Sequence, residues 1–283
     1  VTPLDIARKL DLEKSGQGKG WRGACKSCGY GTTLVLSAKG SLWCASCGRD
    51  GPAEVLARLQ DGERAQAAER QPGKPERTPA ERTARALWWW NGAPRNTLGT
   101  PADLYLTGRR LAGLAASPSI RYRTDVQHPE ERGRMPAMLA LVQDVTGAPV
   151  VVHRTYLTRG GRKADVVPVK ASVGPIFGGA IRLDAAAAEL VVGEGIETSA
   201  SAGRLLGLPA WAAIAAGNLA QALRLPVEVR SVVIAADADG PGRDAAQAAA
   251  ARWQGEGRRV RIATPNVPGA DFNDVLMAEA AYA

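Results

Sequence analysis

RSVVIAADADGPGRDAA, residues 230–246, is a five-residue apolar run that ends in two aspartates one residue apart, Asp237 and Asp239, followed by a glycine turn and an alanine-rich helical stretch. A run of this length bounded by turn residues reads as a buried strand, and a strand running into a helix reads as half of a βαβ unit. The same grammar recurs on both sides. ELVVGEGIETSASAGRLLG (189–207) is a strand, a Gly-Glu-Gly turn and a helix; AWAAIAAGN (210–218) is a second strand and loop; RRVRIATP (258–265) is a fourth strand, and ADFNDVL (270–276) leads into a last helix. Alternating short strands and helices predict an open parallel sheet over residues 183–283.

Acids follow the carboxyl ends of these strands: Glu194, then Asp237 and Asp239, with Asp271 and Asp274 before the last helix. In an open parallel sheet those ends share one edge, where ligands bind. Carboxylates gathered there repel one another unless they protonate or share a cation. A hard, oxygen-preferring ion such as Mg2+ or Mn2+ relieves the repulsion and takes phosphate oxygens as further ligands. The plain alternative, that an aspartate caps the helix before Gly242, accounts for one of the pair but not for Glu194. Glu197 has two readings, charging the helix start or reaching the metals.

All four cysteines lie near the start of the chain, as CKSC and CASC. Cys25, Cys28, Cys44 and Cys47 have the spacing C-x2-C-x15-C-x2-C, which presents four thiolates to a tetrahedral Zn2+ from two knuckles. TTLVLSAKGSLW between them reads as a hairpin turning at Ala38–Gly40. A disulfide pair or dithiol site would use the same residues, but the doubled spacing and the lack of a signal-peptide apolar core weigh against it. Lys19, Trp21, Arg22, Lys26, Lys39 and Trp43 make either a DNA-reading surface or a solvated basic face.

The chain of 283 residues carries a net charge of +8, and the excess is uneven. Residues 1–50 hold eight basic against four acidic side chains, whereas 201–283 hold eight of each. A basic N-terminal side fits a polyanionic partner. Residues 61–80 are polar and rich in charge and proline, as in a linker. No apolar run is long enough for a membrane span, so a cytoplasmic, membrane-free protein is expected. The expected organisation is therefore a zinc ribbon at 1–60, a linker at 61–80, an α+β subdomain with a basic hairpin at 81–182, and the parallel sheet at 183–283.

Within 81–182, ERTARALWWW (81–90) reads as a helix whose three tryptophans cannot share a face; two pack inward and one is partly exposed. A helix is expected from about Pro101. MPAMLALVQDVTGAPVVVHRTYLT (135–158) reads as a hairpin turning at Asp144–Gly147. From Arg154 to Arg182 there are six basic residues against one acid, Asp165, which makes either a phosphate-holding patch or a solubilising loop.

GEG at 193–195 followed by DADGPG at 237–242 resembles the Toprim signature, and ADFND at 270–274 resembles the third acidic motif of its phage and plasmid members. With a zinc ribbon ahead of it, the chain resembles DnaG-type primases of the phage and mobile-element kind; GTPADLYLTGRRL and VVVHRTYLTRGGRKA are similar to their middle region. The resemblance implies an α/β fold with a Rossmann-like Toprim sheet. It implies synthesis of RNA primers from ribonucleoside triphosphates on single-stranded DNA, with Glu194, Asp237 and Asp239 as the catalytic metal-organising acids and Asp271 assisting a second ion. Arg154, Lys163 and Lys170 become candidates for gripping template or triphosphate, and Lys26 and Trp43 for reading template. The resemblance also leaves a Toprim nuclease, or an inactive single-stranded-DNA-binding accessory protein, as rivals. In the bacterial members another acid follows the glutamate by four positions, where this chain has Thr198. No G-x-x-x-x-G-K-[ST] loop occurs, so a helicase partner is expected in trans or in a missing C-terminal region.

Overall fold

The computed structural model describes residues 2–14, 20–23, 34–37, 42–44, 78–129, 133–173 and 176–279. The chain forms two units, Val1–Arg82 and Thr83–Ala283.

In the first unit, helix α1 (Pro3–Lys9) starts at a capping box. The Thr2 hydroxyl accepts the Asp5 N–H, and the Asp5 carboxylate accepts the Thr2 N–H. Four antiparallel strands follow in spatial order: β1 (Glu13–Lys14), β2 (Gly20–Gly23), β3 (Leu34–Ser37) and β4 (Leu42–Cys44). Ile6, Ala7 and Leu12 pack on Leu34, Leu36 and Leu42 to make a small core. The expected hairpin is the β3–β4 pair, with Val35 opposite Trp43. The zinc-site assignment falls on Cys25, Cys28 and Cys47, which lie outside the described residues, as do Lys26 and the turn at 38–40; of Cys44 and Trp43 the backbone in β4 is described. The linker at 61–80 lies outside them up to residue 77.

The second unit is organised by one mixed sheet. Its described strands are β5 (Ile120–Gln127), β6 (Arg134–Gln143), β7 (Pro149–Tyr156), β8 (Lys170–Val173), β9 (Ala180–Arg182), β10 (Glu189–Gly193), β11 (Ala210–Ala212), β12 (Ser231–Ala235) and β13 (Arg259–Ala263). Their order is β13-β12-β10-β11-β9-β6-β7-β8, with β5 also paired to β6. The four strands β13, β12, β10 and β11 are mutually parallel; central β10 and β12 are apolar runs buried on both faces, whereas edge strand β13 is largely exposed. Short antiparallel β9 then pairs with β11 on one side and β6 on the other, so one sheet runs across the expected 182/183 division.

Helices cover both faces. Val191, Val233 and Ala235 point to the face where Ile196 and Ala200 of α4 (Ile196–Leu206) and Phe272 and Leu276 of α6 (Phe272–Glu279) join one core. The alternate residues Leu190, Val192, Val232 and Ile234 are buried on the opposite face, and α5 (Gly240–Gly255) packs on β12 and β13. Over β6 and β7 lies α2 (Pro79–Asn91), with Trp89 and Trp90 buried against Leu139, Val152 and Tyr156, while Trp88 is 62% exposed. The helix expected from Pro101 is α3 (Pro101–Thr107), and the β6–β7 hairpin turns at Asp144–Gly147 as expected. No described helix is long and apolar enough to cross a membrane.

Candidate active site

The parallel strands deliver their acids to one edge. Strand β10 ends at Gly193, where a Cβ would meet the Ser199 hydroxyl at 2.7 Å, so only glycine lets α4 start this close to the strand. Glu194 follows immediately. Strand β12 ends at Ala235, two residues before Asp237. Helix α6 begins just after Asp271. Glu194, Asp237 and Asp271 line a single cleft of about 160 Å³ together with Arg109, Lys163, Lys170, Gly195, Glu197 and Thr198.

Electrostatics within the cleft are strained. Burial first, then the Asp237 charge and to a smaller extent that of Asp239, push the Glu194 carboxyl up to about 7, against the opposing pull of Lys170 and of the Ala216 N–H. Burial and Asp271 raise Asp237 as well, although the Thr198 hydroxyl donates to its Oδ1 at 3.2 Å. Thr198 thus acts as a hydrogen-bond donor to a carboxylate of the cleft.

Asp239 is placed differently from the expectation. It is exposed, does not line the cleft, and is the N-cap of α5, its Oδ1 accepting the Gly242 N–H at 2.7 Å. A Cβ on Gly242 would meet that oxygen at 2.9 Å and the Asp237 carbonyl at 3.0 Å, which explains the glycine in DADGPG. Asp239 thus caps the helix through one oxygen, while Asp237 lines the cleft. Asp271 divides its role: its Oδ1 caps Asp274 N at 2.9 Å while the side chain borders the cleft.

Among the described residues, no three His, Cys, Asp or Glu side chains stand close enough together to hold a metal ion between them. Of the carboxylates on this edge, Glu194 and Asp237 are pushed towards their neutral forms by burial and by negative charge. That donor set fits a Mg2+ or Mn2+ ion held by one or two carboxylates, with water and phosphate oxygens as its other ligands.

Of the basic candidates, Lys163 and Lys170 reach the cleft and Arg154 does not. Strand alternation decides this. Lys170 lies opposite Thr155 and shares its face with His153, which meets Ser172 at 3.0 Å. Arg154 points to the other face, under α2, where its guanidinium donates to the Gln127 carbonyl and the Tyr156 hydroxyl and stacks beneath Trp89. Buried to 4% exposure with its donors engaged, it serves packing. Arg109 was missing from the sequence reading. It stands just past α3, over the Tyr105 ring, and donates to Asn273 Oδ1 of α6 at 3.1 Å; the only signal was its place in GTPADLYLTGRRL.

Glu197, ambiguous in the sequence, is deeply buried at 5% exposure. Tyr105 donates its hydroxyl to Oε1, and Lys170 donates to Oε2 at 2.9 Å, with Lys163 Nζ 3.9 Å from Oε1. Burial alone would raise this carboxyl, but the two lysines and the two hydrogen bonds outweigh it and hold it well below the usual range.

Residues 189–281 match the Toprim domain family. The match covers about a third of the chain, the part that holds the parallel strands and their acids. Residues 80–183 match a family described as a domain of unknown function, DUF7146. No curated protein matches by sequence. Among solved structures, the zinc-binding and RNA polymerase domains of the Aquifex aeolicus primase are similar with a TM-score of 0.50 and 15% identity, over 98% of this chain and 80% of that one. A DnaG primase catalytic domain bound to ssDNA is similar with a TM-score of 0.50 and 18% identity, over 72% of this chain and 80% of that one. At these identities the likeness is one of fold: the chain shares the fold of DnaG-type primases.

Proposed function

We propose that the chain is a DNA primase that makes short RNA primers on single-stranded DNA by metal-dependent nucleotidyl transfer, for replication of a phage or mobile element. The observation that carries the reading is the single cleft that sets Glu194, Asp237 and Asp271 against Arg109, Lys163 and Lys170 at the carboxyl ends of the parallel strands. A surface with hard oxygen donors on one side and cations on the other suits a nucleoside triphosphate with its metal ion, and the shared fold supports the same reading.

Glu194 and Asp237 would hold the divalent cation, with Asp271 assisting. When bound, the ion lowers the pKa of the attacking 3′-hydroxyl and neutralises charge at the α-phosphate. Arg109, Lys163 and Lys170 pair with the triphosphate oxygens and hold the reacting groups in line, which turns an encounter into a positioned reaction. Thr198 fixes Asp237, and the Ala216 N–H fixes Glu194. Pyrophosphate leaves along the basic side. In the N-terminal unit Cys25, Cys28, Cys44 and Cys47 would hold a structural Zn2+, with Lys26 and Trp43 contributing to template reading.

The test is incubation of the protein with single-stranded DNA, labelled ribonucleotides and Mg2+ or Mn2+. Short new oligomers are expected. Cleaved DNA without synthesis would mark a Toprim nuclease, and binding with neither product would mark an accessory module; either result overturns the proposal.

A further inference from the structure

Glu197 is more than a buried counter-ion. Its three partners come from three separate segments: Tyr105 from α3, Lys163 from the loop after β7, and Lys170 from the first position of β8. A carboxylate this deep is tolerated only when paired, and the pair is strengthened by the low dielectric around it. Lys170 also lines the same cleft as Glu194 and Asp237, within a space of about 160 Å³. It therefore has two competing sets of partners within one small cavity. An ammonium seated on Glu194 and Asp237 would satisfy their repulsion and fill the space that a divalent cation needs. In the structure Lys170 is not there: it is 2.9 Å from Glu197, whose other oxygen is pinned by Tyr105.

We infer that Glu197 is a positioning residue that detains Lys170, keeping Glu194 and Asp237 open to a divalent cation while the remaining Lys170 donors face the cleft. Lys163, farther from Glu197 and more exposed, has the smaller part. The inference rests on the reading of Glu194 and Asp237 as a cation site and adds the residue that prevents the chain from closing that site with its own lysine.

The experiment is Mn2+ titration of the full chain, followed by the loss of the free-ion electron paramagnetic resonance signal, with Asp237→Asn marking the signal that belongs to the cleft. Glu197→Gln keeps the shape and removes the charge. It should weaken Mn2+ binding about tenfold, the scale of coupling between neighbouring charged groups. Adding Lys170→Met to that variant should restore binding to within about threefold of wild type, because the competitor is gone; adding Lys163→Met instead should not. Equal affinity of Glu197→Gln and wild type overturns the inference, as does failure of Lys170→Met to rescue, which would leave Glu197 a merely structural residue. Absence of Mn2+ binding by the wild-type protein overturns the cation-site reading itself. Where Glu197→Gln alone does not fold, comparing the double variant with Lys170→Met carries the same test. Equal affinity is expected, and a difference of about tenfold overturns the inference.

Discussion

Removing the charge of Glu194 should make the metal-free protein more stable at alkaline pH and leave it nearly unchanged at acid pH. In the fold this carboxyl is pushed up from 4.5 to about 7, by burial first and by Asp237 second. A group whose folded value lies above its unfolded value contributes stability that is fully present below the unfolded value and lost as pH rises through the folded one. At about 1.4 kcal/mol per pH unit, the cost of ionising Glu194 above pH 7 is about 3 kcal/mol, and about 2 to 3 kcal/mol of it falls between pH 5 and pH 8. Urea unfolding of wild type and Glu194→Gln in a chelator, at both pH values, isolates the term because every other titrating group is common to the two proteins. Tryptophan fluorescence reports the transition, since five of the seven tryptophans lie in the C-terminal unit. The stability of wild type relative to the variant should fall by about 2 to 3 kcal/mol from pH 5 to pH 8, and Mg2+ should recover the loss in wild type only. A pH-independent difference, changing by less than about 0.5 kcal/mol, would refute the argument that burial and repulsion load this carboxyl.

Trp90→Ala should cost about 3 to 5 kcal/mol in urea unfolding, because Trp90 is buried under α2, whereas exposed Trp88→Ala should stay within about 0.5 kcal/mol of wild type. Asp239→Ala should lose about 1 kcal/mol through its cap and Asp239→Asn only a few tenths; equal losses would contradict the capping role drawn from the Gly242 contact. Metal analysis of the purified chain should find one zinc ion, released by Cys28→Ser, and a full complement retained in that variant would remove the four-cysteine site.

Much of the fold was legible because two of the parallel strands leave apolar runs: LVV at 190–192 and VVIA at 232–235 are buried on both faces. Strand β5 escaped reading because its alternation of Ile120 and Tyr122 is broken by a register shift between Arg123 and Val126, and β8 because four half-buried residues carry no apolar signal. That Glu194, Asp237 and Asp271 border one cleft follows from their places after the strand ends. The cap made by Asp239 shows only once the Gly242 N–H is placed. The basic residues could be named but not sorted: Arg154 and Lys170 both lie in one charged stretch, and only the β7–β8 register puts them on opposite faces. Glu197 was illegible for a different reason. Its meaning depends on Tyr105, Lys163 and Lys170, the nearest of them 27 residues away in the chain.

The central claim is that Glu194 and Asp237 form the metal-holding edge of a polymerising cleft. It is met most directly by assaying Asp237→Asn for primer synthesis beside wild type, on single-stranded DNA with ribonucleotides and Mn2+, while measuring DNA binding in the same preparations. The account predicts that short oligomers made by wild type disappear with Asp237→Asn and that DNA binding is retained. Primers made at the wild-type rate by the variant would contradict it.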